Sequence, residues 1–274
     1  MSILLPSKLE FKEVKGNRAT VTLEPCYPGY GVTIGNALRR VLLSSISGSA
    51  VTSFKLKGVM HEFSSLPYVK EDSVGIALNV KRIRVKVFSD EPVILNLMAK
   101  GEKIVTAGDI EKNSLVEIAN PGQIIATLTD KSADLEMEFI AQKGYGYVTV
   151  EERVKEKVDL GTIMVDALYT PLTKVGFDIE NIRLGERTDY ERLVLHIETD
   201  GTVSPKEAMA EASAILLRHF SFVSENSVHQ ASVKESKAAK IKEKAEEESV
   251  KEEAEEVEAA DKKSKKRGRP KKTE

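Results

Sequence analysis

The chain has 274 residues, 41% of them hydrophobic, with 41 Lys plus Arg against 43 Asp plus Glu and a formal net charge of -2. That length suits one large or two small domains, and the charge balance excludes a uniformly basic nucleic-acid coat, so any contact with nucleic acid has to be local. One cysteine and four scattered histidines exclude an internal disulfide framework and a zinc quartet, and no apolar run approaches the ~20 residues that cross a bilayer, so the expectation is a soluble cytoplasmic protein with no cofactor, no metal and no membrane partner.

In chain order, residues 20–24 alternate apolar and polar, which predicts a half-buried strand. After the turn Pro28-Gly29-Tyr30-Gly31, Thr33 is expected to cap a helix in which Ile34, Ala37, Leu38, Val41 and Leu42 recur at helical spacing. Residues 48–171 hold many short alternating segments (51–56, 80–87, 93–99, 123–129 and 135–142) broken by Gly, Pro, Asn and Asp, a β-rich pattern. Strands follow at 175–180 and 193–198, then a turn at Asp200-Gly201. Ser204-Pro205-Lys206-Glu207 joins a serine cap, a proline at the first helical position and a glutamate three residues on, which starts a helix at Pro205 with the stripe Ala208, Ala212, Ile215, Leu216, His219 and Phe220. From residue 234 to the end, 14 basic and 12 acidic residues in 41, without one aromatic, leave too little apolar surface for folding.

Two helices near opposite ends of the body want a common core, which makes the β-rich stretch an insertion. The expected fold is therefore α+β: a discontinuous dimerisation domain of antiparallel sheet and two main helices over 1–47 and 172–230, an inserted β-rich domain over 48–171, and a disordered Lys/Glu-rich tail over 231–274.

Projected at 100° per residue, the first helix has two faces. Ile34, Ala37, Leu38, Val41 and Leu42 form a core stripe, and the opposite side carries Asn36, Arg39 and Arg40 around Leu43. An apolar anchor among arginines is the composition of a small protein-binding patch, although a solvated face with one stray leucine shows the same pattern. The second helix has a stripe wide enough to meet another copy of itself as well as its own sheet.

Other chemistry is set aside. Gly29-x-Gly31-x-x-x-Gly35 fits neither a dinucleotide fingerprint nor a P-loop, and its glycines serve a turn and close packing. Cys26 reads as a small buried hydrophobe and Asp166 as a structural hydrogen-bond acceptor. His61, His196, His219 and His229 show no ligand spacing.

The segment Gly29-Tyr30-Gly31-Val32-Thr33-Ile34-Gly35-Asn36-Ala37-Leu38-Arg39-Arg40-Val41-Leu42-Leu43-Ser44-Ser45 closely resembles the signature of the bacterial RNA polymerase alpha subunits, and Gly58 to Ser64, Lys143 to Val148, Val165 to Pro171 and Arg187 to Thr202 resemble later landmarks in the same order. The resemblance covers about residues 1 to 223. It implies a homodimeric scaffold that nucleates assembly of the beta and beta-prime subunits, in one complex with the omega subunit and a sigma factor, and that does no chemistry itself. On this reading Asn36, Arg39, Arg40 and Leu43 contact the large subunits. Ile34, Leu38, Val41, Leu42, Ala212, Ile215, Leu216, His219 and Phe220 serve dimerisation, and the inserted domain, with Glu62, Lys70, Glu71 and Asp72 in the matching loop, resembles the family's second domain, which also touches the large subunits. Members usually carry a compact C-terminal DNA-binding domain after a linker, and nothing after Val223 here can fold into one.

The tail ends in Arg267-Gly268-Arg269-Pro270, flanked by Lys265, Lys266, Lys271 and Lys272, which resembles the core of an AT-hook. An extended Arg-Gly-Arg fits a narrow A/T minor groove, so weak affinity for A/T-rich DNA is one expectation and a solvated charged tail the other. The competing reading of the whole chain is an independent DNA-binding module acting through this tail.

Overall fold

The protein is described, as a computed structural model, over residues 3–14, 16–153 and 159–227. Arg267, Gly268, Arg269, Pro270 and the expected disordered tail lie outside the described residues, as does His229. The chain divides into two units, 1–216 and 217–274.

In the first unit, β1 (Lys8–Val14) and β2 (Arg18–Cys26) precede α1 (Tyr30–Ser44) and β3 (Ser47–Leu56). Then come α2 (Ser73–Val80), β4 (Val85–Val87), β5 (Val93–Lys100), β6 (Lys103–Thr106), β7 (Val116–Ile118), β8 (Ile124–Leu128) and β9 (Asp134–Tyr145). β10 (Tyr147–Val148), β11 (Thr162–Met164) and β12 (Ala167–Leu168) lead to the long hairpin of β13 (Leu172–Leu184) and β14 (Arg187–Thr199). Residues 205–227 are helical and are called α3.

The expected α+β class holds, and both ends of the body meet in one antiparallel sheet of order β1-β2-β14-β13. Val21 stands between Phe11 on β1 and Leu195 on β14, and Leu195 in turn faces Phe177 on β13. α1 and the first turns of α3 bury their apolar residues on this sheet: Val21, Cys26, Leu38, Leu42, Ile46, Leu193, Leu195, Ile197, Ala208 and Ala212 make one core cluster. A second cluster belongs to the β-rich stretch, around the antiparallel sheet β11-β3-β9-β5, with Phe54, Leu97, Ile125, Met137 and Phe139 fully buried. β5 shows why that stretch reads as strand: its residues alternate buried and exposed from Val93 to Lys100 without a break.

Two local readings are corrected. α1 begins at Tyr30, four residues before Ile34, and Thr33 lies inside it with Oγ1 donating to the carbonyl of Gly29 at 3.1 Å. The expected strand over 80–87 is the end of α2 followed, after a gap, by the three residues of β4. A short run that buries Ser73, Ile76 and Val80 is apolar at either period, and the choice is made by Asp72, whose Oδ1 accepts from the Gly75 amide at 2.7 Å as an N-cap.

Candidate functional site

α1 keeps its two faces. Gly31, Gly35, Leu38 and Leu42 are buried along one line, while Asn36, Arg39, Arg40 and Leu43 are all exposed. Burying Leu38 and Leu42 stabilises the attachment by about 1.5–3 kcal/mol each. At Gly35 the helix backbone approaches the sheet side chains too closely for a side chain of its own: a Cβ there would stand 2.8 Å from Leu193 Cδ1 and 2.9 Å from Phe177 Cδ2. Leu38 and Leu42 are buried inside the protomer, whereas Ile34, Ala37 and Val41 are half-buried.

The start of α1 is capped from far away in sequence. Gly29 takes φ 84, a left-handed conformation that glycine adopts without strain, and it offers no side chain to the open amides of the first turn. Glu191 supplies one: Oε1 accepts from the Gly29 amide and Oε2 from the Gly31 amide, each at 2.8 Å. The carboxylate also meets the positive end of the helix dipole, in a helix with no acidic residue in its first turn. Beside Glu191 the sheet is irregular: β14 pairs Glu191 with Cys26 and then Leu193 with Leu23, so β2 carries one extra residue there. Cys26 is fully buried, and burial, with the nearby Glu191 charge adding to it, pushes its thiol pKa up.

α3 starts as the sequence predicts. Ser204 Oγ accepts from the Glu207 amide at 3.2 Å and Glu207 Oε2 accepts from the Ser204 amide at 3.1 Å, a reciprocal capping box. The Ser204 amide first, then the Ser204 hydroxyl, hold the Glu207 carboxyl below the usual range. Ala208, Met209 and Ala212 are buried, and Ile215 and Leu216 are half-buried. Met209 had no place in the expected stripe. In the second unit every described residue is exposed, including His219, Leu217 at 67%, Phe220 at 64% and Phe222 at 69%. With Val223, four large apolar side chains on this helical stretch are therefore exposed to solvent.

The inserted stretch yields no reactive constellation. Asp166 Oδ2 accepts from Lys81 Nζ at 2.9 Å and Tyr147 Oη at 2.8 Å, and its Oδ1 accepts from the Val150 amide at 2.9 Å. Lys81 first, then Tyr147 and the amide, hold this carboxyl down to about 2, so it is an ionised structural acceptor. Glu71 and Asp72 are also occupied internally: Glu71 accepts from the Thr127 amide and hydroxyl at 2.7 and 2.9 Å, while Asp72 caps α2. Glu62 and Lys70 are exposed. Among the described residues no group of three or more His, Cys, Asp or Glu is placed to hold a metal ion, and no helix is long and apolar enough to cross a membrane.

The described residues thus combine a sheet built from both ends of the body, a capped helix with one buried and one exposed face, and an inserted β-rich stretch. The inserted stretch matches the RNA polymerase Rpb3/RpoA insert domain over residues 51–170. The chain is 46% identical over 212 residues to the DNA-directed RNA polymerase subunit alpha of Moorella thermoacetica, covering 77% of this chain and 67% of that protein. It is 42% identical over 219 residues to the subunits of that name from Roseiflexus sp. strain RS-1 and Roseiflexus castenholzii, covering 80% of this chain and 67% of each. The chain belongs to the family of the DNA-directed RNA polymerase alpha subunits.

Proposed function

We propose that this chain is the homodimeric assembly scaffold of a cytoplasmic DNA-directed RNA polymerase, a nucleotidyltransferase complex in which it holds the beta and beta-prime subunits and carries no catalytic residue of its own. Residues 1–47 and 172–230 form its dimerisation domain and 48–171 its inserted domain. The observation that carries the reading is the division of α1 into a face locked on its own sheet and a free face of Asn36, Arg39, Arg40 and Leu43. Ile34, Val41, Ile215, Leu216, His219 and Phe220, which keep exposed surface, meet a second copy, while Leu38, Leu42 and Ala212 support that surface from inside. Two copies then offer two identical free faces to two different large subunits. The omega subunit and a sigma factor join the same complex.

Gel filtration combined with retention of purified beta and beta-prime tests this. Arg40→Ala leaves a dimer that fails to retain the large subunits, and Ile215→Asp impairs the dimer by placing an unpaired charge in the interface. A variant Arg40→Ala that retains both large subunits overturns the reading.

Within such a complex the tail adds weak affinity for A/T-rich DNA. Its support is the sequence Arg267-Gly268-Arg269-Pro270 with flanking lysines, and the reading of the chain as an independent DNA-binding module has nothing beyond that. Equal affinity for A/T-rich and G/C-rich duplexes, or no loss on truncation at Lys262, rejects it.

A further inference from the structure

The free side of α1 is longer than the four residues its amino-acid pattern singles out. Val32, Asn36, Arg39, Arg40 and Leu43 stand at i, i+4, i+7, i+8 and i+11, one side of a 3.6-residue helix, and all five are exposed. At a rise of 1.5 Å per residue this stripe runs for about 16 Å. Both of its ends are apolar, with Val32 53% exposed and Leu43 38%. Between them lie one amide and two guanidinium groups.

Three features fix what such a stripe receives. Its first turn, which in an uncapped helix frays, is gripped by Glu191 through the Gly29 and Gly31 amides, so Val32 is presented on ordered backbone and little ordering entropy remains to be lost on binding. α1 contains no Asp or Glu, and among the described residues neither Arg39 nor Arg40 has an ion-pair partner. Two adjacent guanidinium groups without an ion-pair partner, on a helix without a carboxylate, favour carboxylates on the partner. Arginine is also weakly hydrated, so it tolerates being covered between two apolar contacts better than lysine would.

We propose that the full length of α1, from Val32 to Leu43, is one docking face and that it receives an acidic segment of a large subunit, with carboxylates against Arg39 and Arg40 and an apolar side chain at each end. This rests on the assembly reading above; it adds Val32 to the contact and sets the chemistry of the partner segment.

The test titrates the full-length dimer with purified beta subunit, and in a second arm with purified beta-prime, at about 50 mM and about 300 mM salt. Val32 is the third helical residue after the Gly29 cap, where an acidic side chain favours the helix dipole, so Val32→Asp should fold and dimerise as the parent does. It should nevertheless weaken binding about tenfold or more, as Leu43→Asp does. Arg39→Glu with Arg40→Glu should weaken binding and flatten its salt dependence. If Val32→Asp does not fold, Val32→Ala, a good helix former that only removes apolar surface, should fold and weaken binding about threefold. Parent-like binding by the folded Val32 variant while Leu43→Asp fails shows that the face stops short of Val32 and overturns the proposal, leaving the assembly reading intact. Affinity indifferent to salt rejects an acidic partner segment. If Leu43→Asp and Arg40→Ala both bind as the parent does, the assembly reading fails and this proposal falls with it.

Discussion

Glu191 and Gly31 form a pair whose energetics can be worked out in advance. A cap of this kind contributes about 0.5–2 kcal/mol, and a hydrogen bond to a charged group about 1.5–3 kcal/mol when well shielded. Glu191 is half-buried, so Glu191→Ala should cost about 1–2 kcal/mol. In a domain of this size that lowers the melting temperature by about 2–8 °C. Gly31→Ala is coupled to it, because a Cβ at Gly31 would stand 2.6 Å from Glu191 Oε2, with its other near neighbours, the Cβ and Cδ of the same side chain, at 3.5 and 3.6 Å. In the parent the new methyl displaces the carboxylate and loses the cap, which outweighs the gain in helix propensity of at most about 1 kcal/mol. In the Glu191→Ala background the obstacle has gone and Gly31→Ala should be neutral or stabilising. Urea denaturation of the four proteins of the cycle, followed by circular dichroism, should give a coupling of about 1–2 kcal/mol. Costs that add to within about 0.5 kcal/mol would refute the assignment of Glu191 as the cap of α1.

Two further outcomes follow from packing and charge. Gly35→Ala sets the same propensity gain of about 1 kcal/mol against overpacking of about 1–3 kcal/mol where the methyl meets Leu193 and Phe177, so it should destabilise, whereas Gly122→Ala, with nothing within 4 Å of its Cβ, should be near neutral by thermal melting. The Asp166 carboxyl is held down to about 2, below its unfolded value of about 3.9, so its contribution is complete above the unfolded value and disappears as pH falls through the folded one. The stability gap between parent and Asp166→Asn should therefore be constant above about pH 5 and close between about pH 4 and pH 2; a gap that is flat across that window would show that the Lys81 and Tyr147 contacts do not act on an ionised carboxylate.

Much of the fold is written locally. The period of 3.6 across Ile34 to Leu43 assigns a buried and an exposed side to α1 before any coordinates are seen, and Ser204 with Glu207 states where α3 begins, because both devices work between residues less than two turns apart. α2 was not legible, since its apolar residues cover more than one side and only the geometry of the Asp72 cap separates helix from strand. Val32 precedes the helix start that the sequence suggests, so the spacing counted from Ile34 does not reach it. That start was misplaced for the same reason: its cap is a carboxylate 160 residues further along the chain, and no local pattern announces it.

The sequence by itself determined which side of α1 is apolar and which carries Arg39, Arg40 and Leu43, since side-chain direction on a helix follows from spacing alone. Only the tertiary structure decided how much of that helix is available to a partner. The Glu191 carboxylate on the Gly29 and Gly31 amides, and the glycine that lets α1 settle against Leu193 and Phe177, depend on strands from opposite ends of the chain lying side by side. Such contacts are set by chain topology, and they become visible when the sheet is assembled.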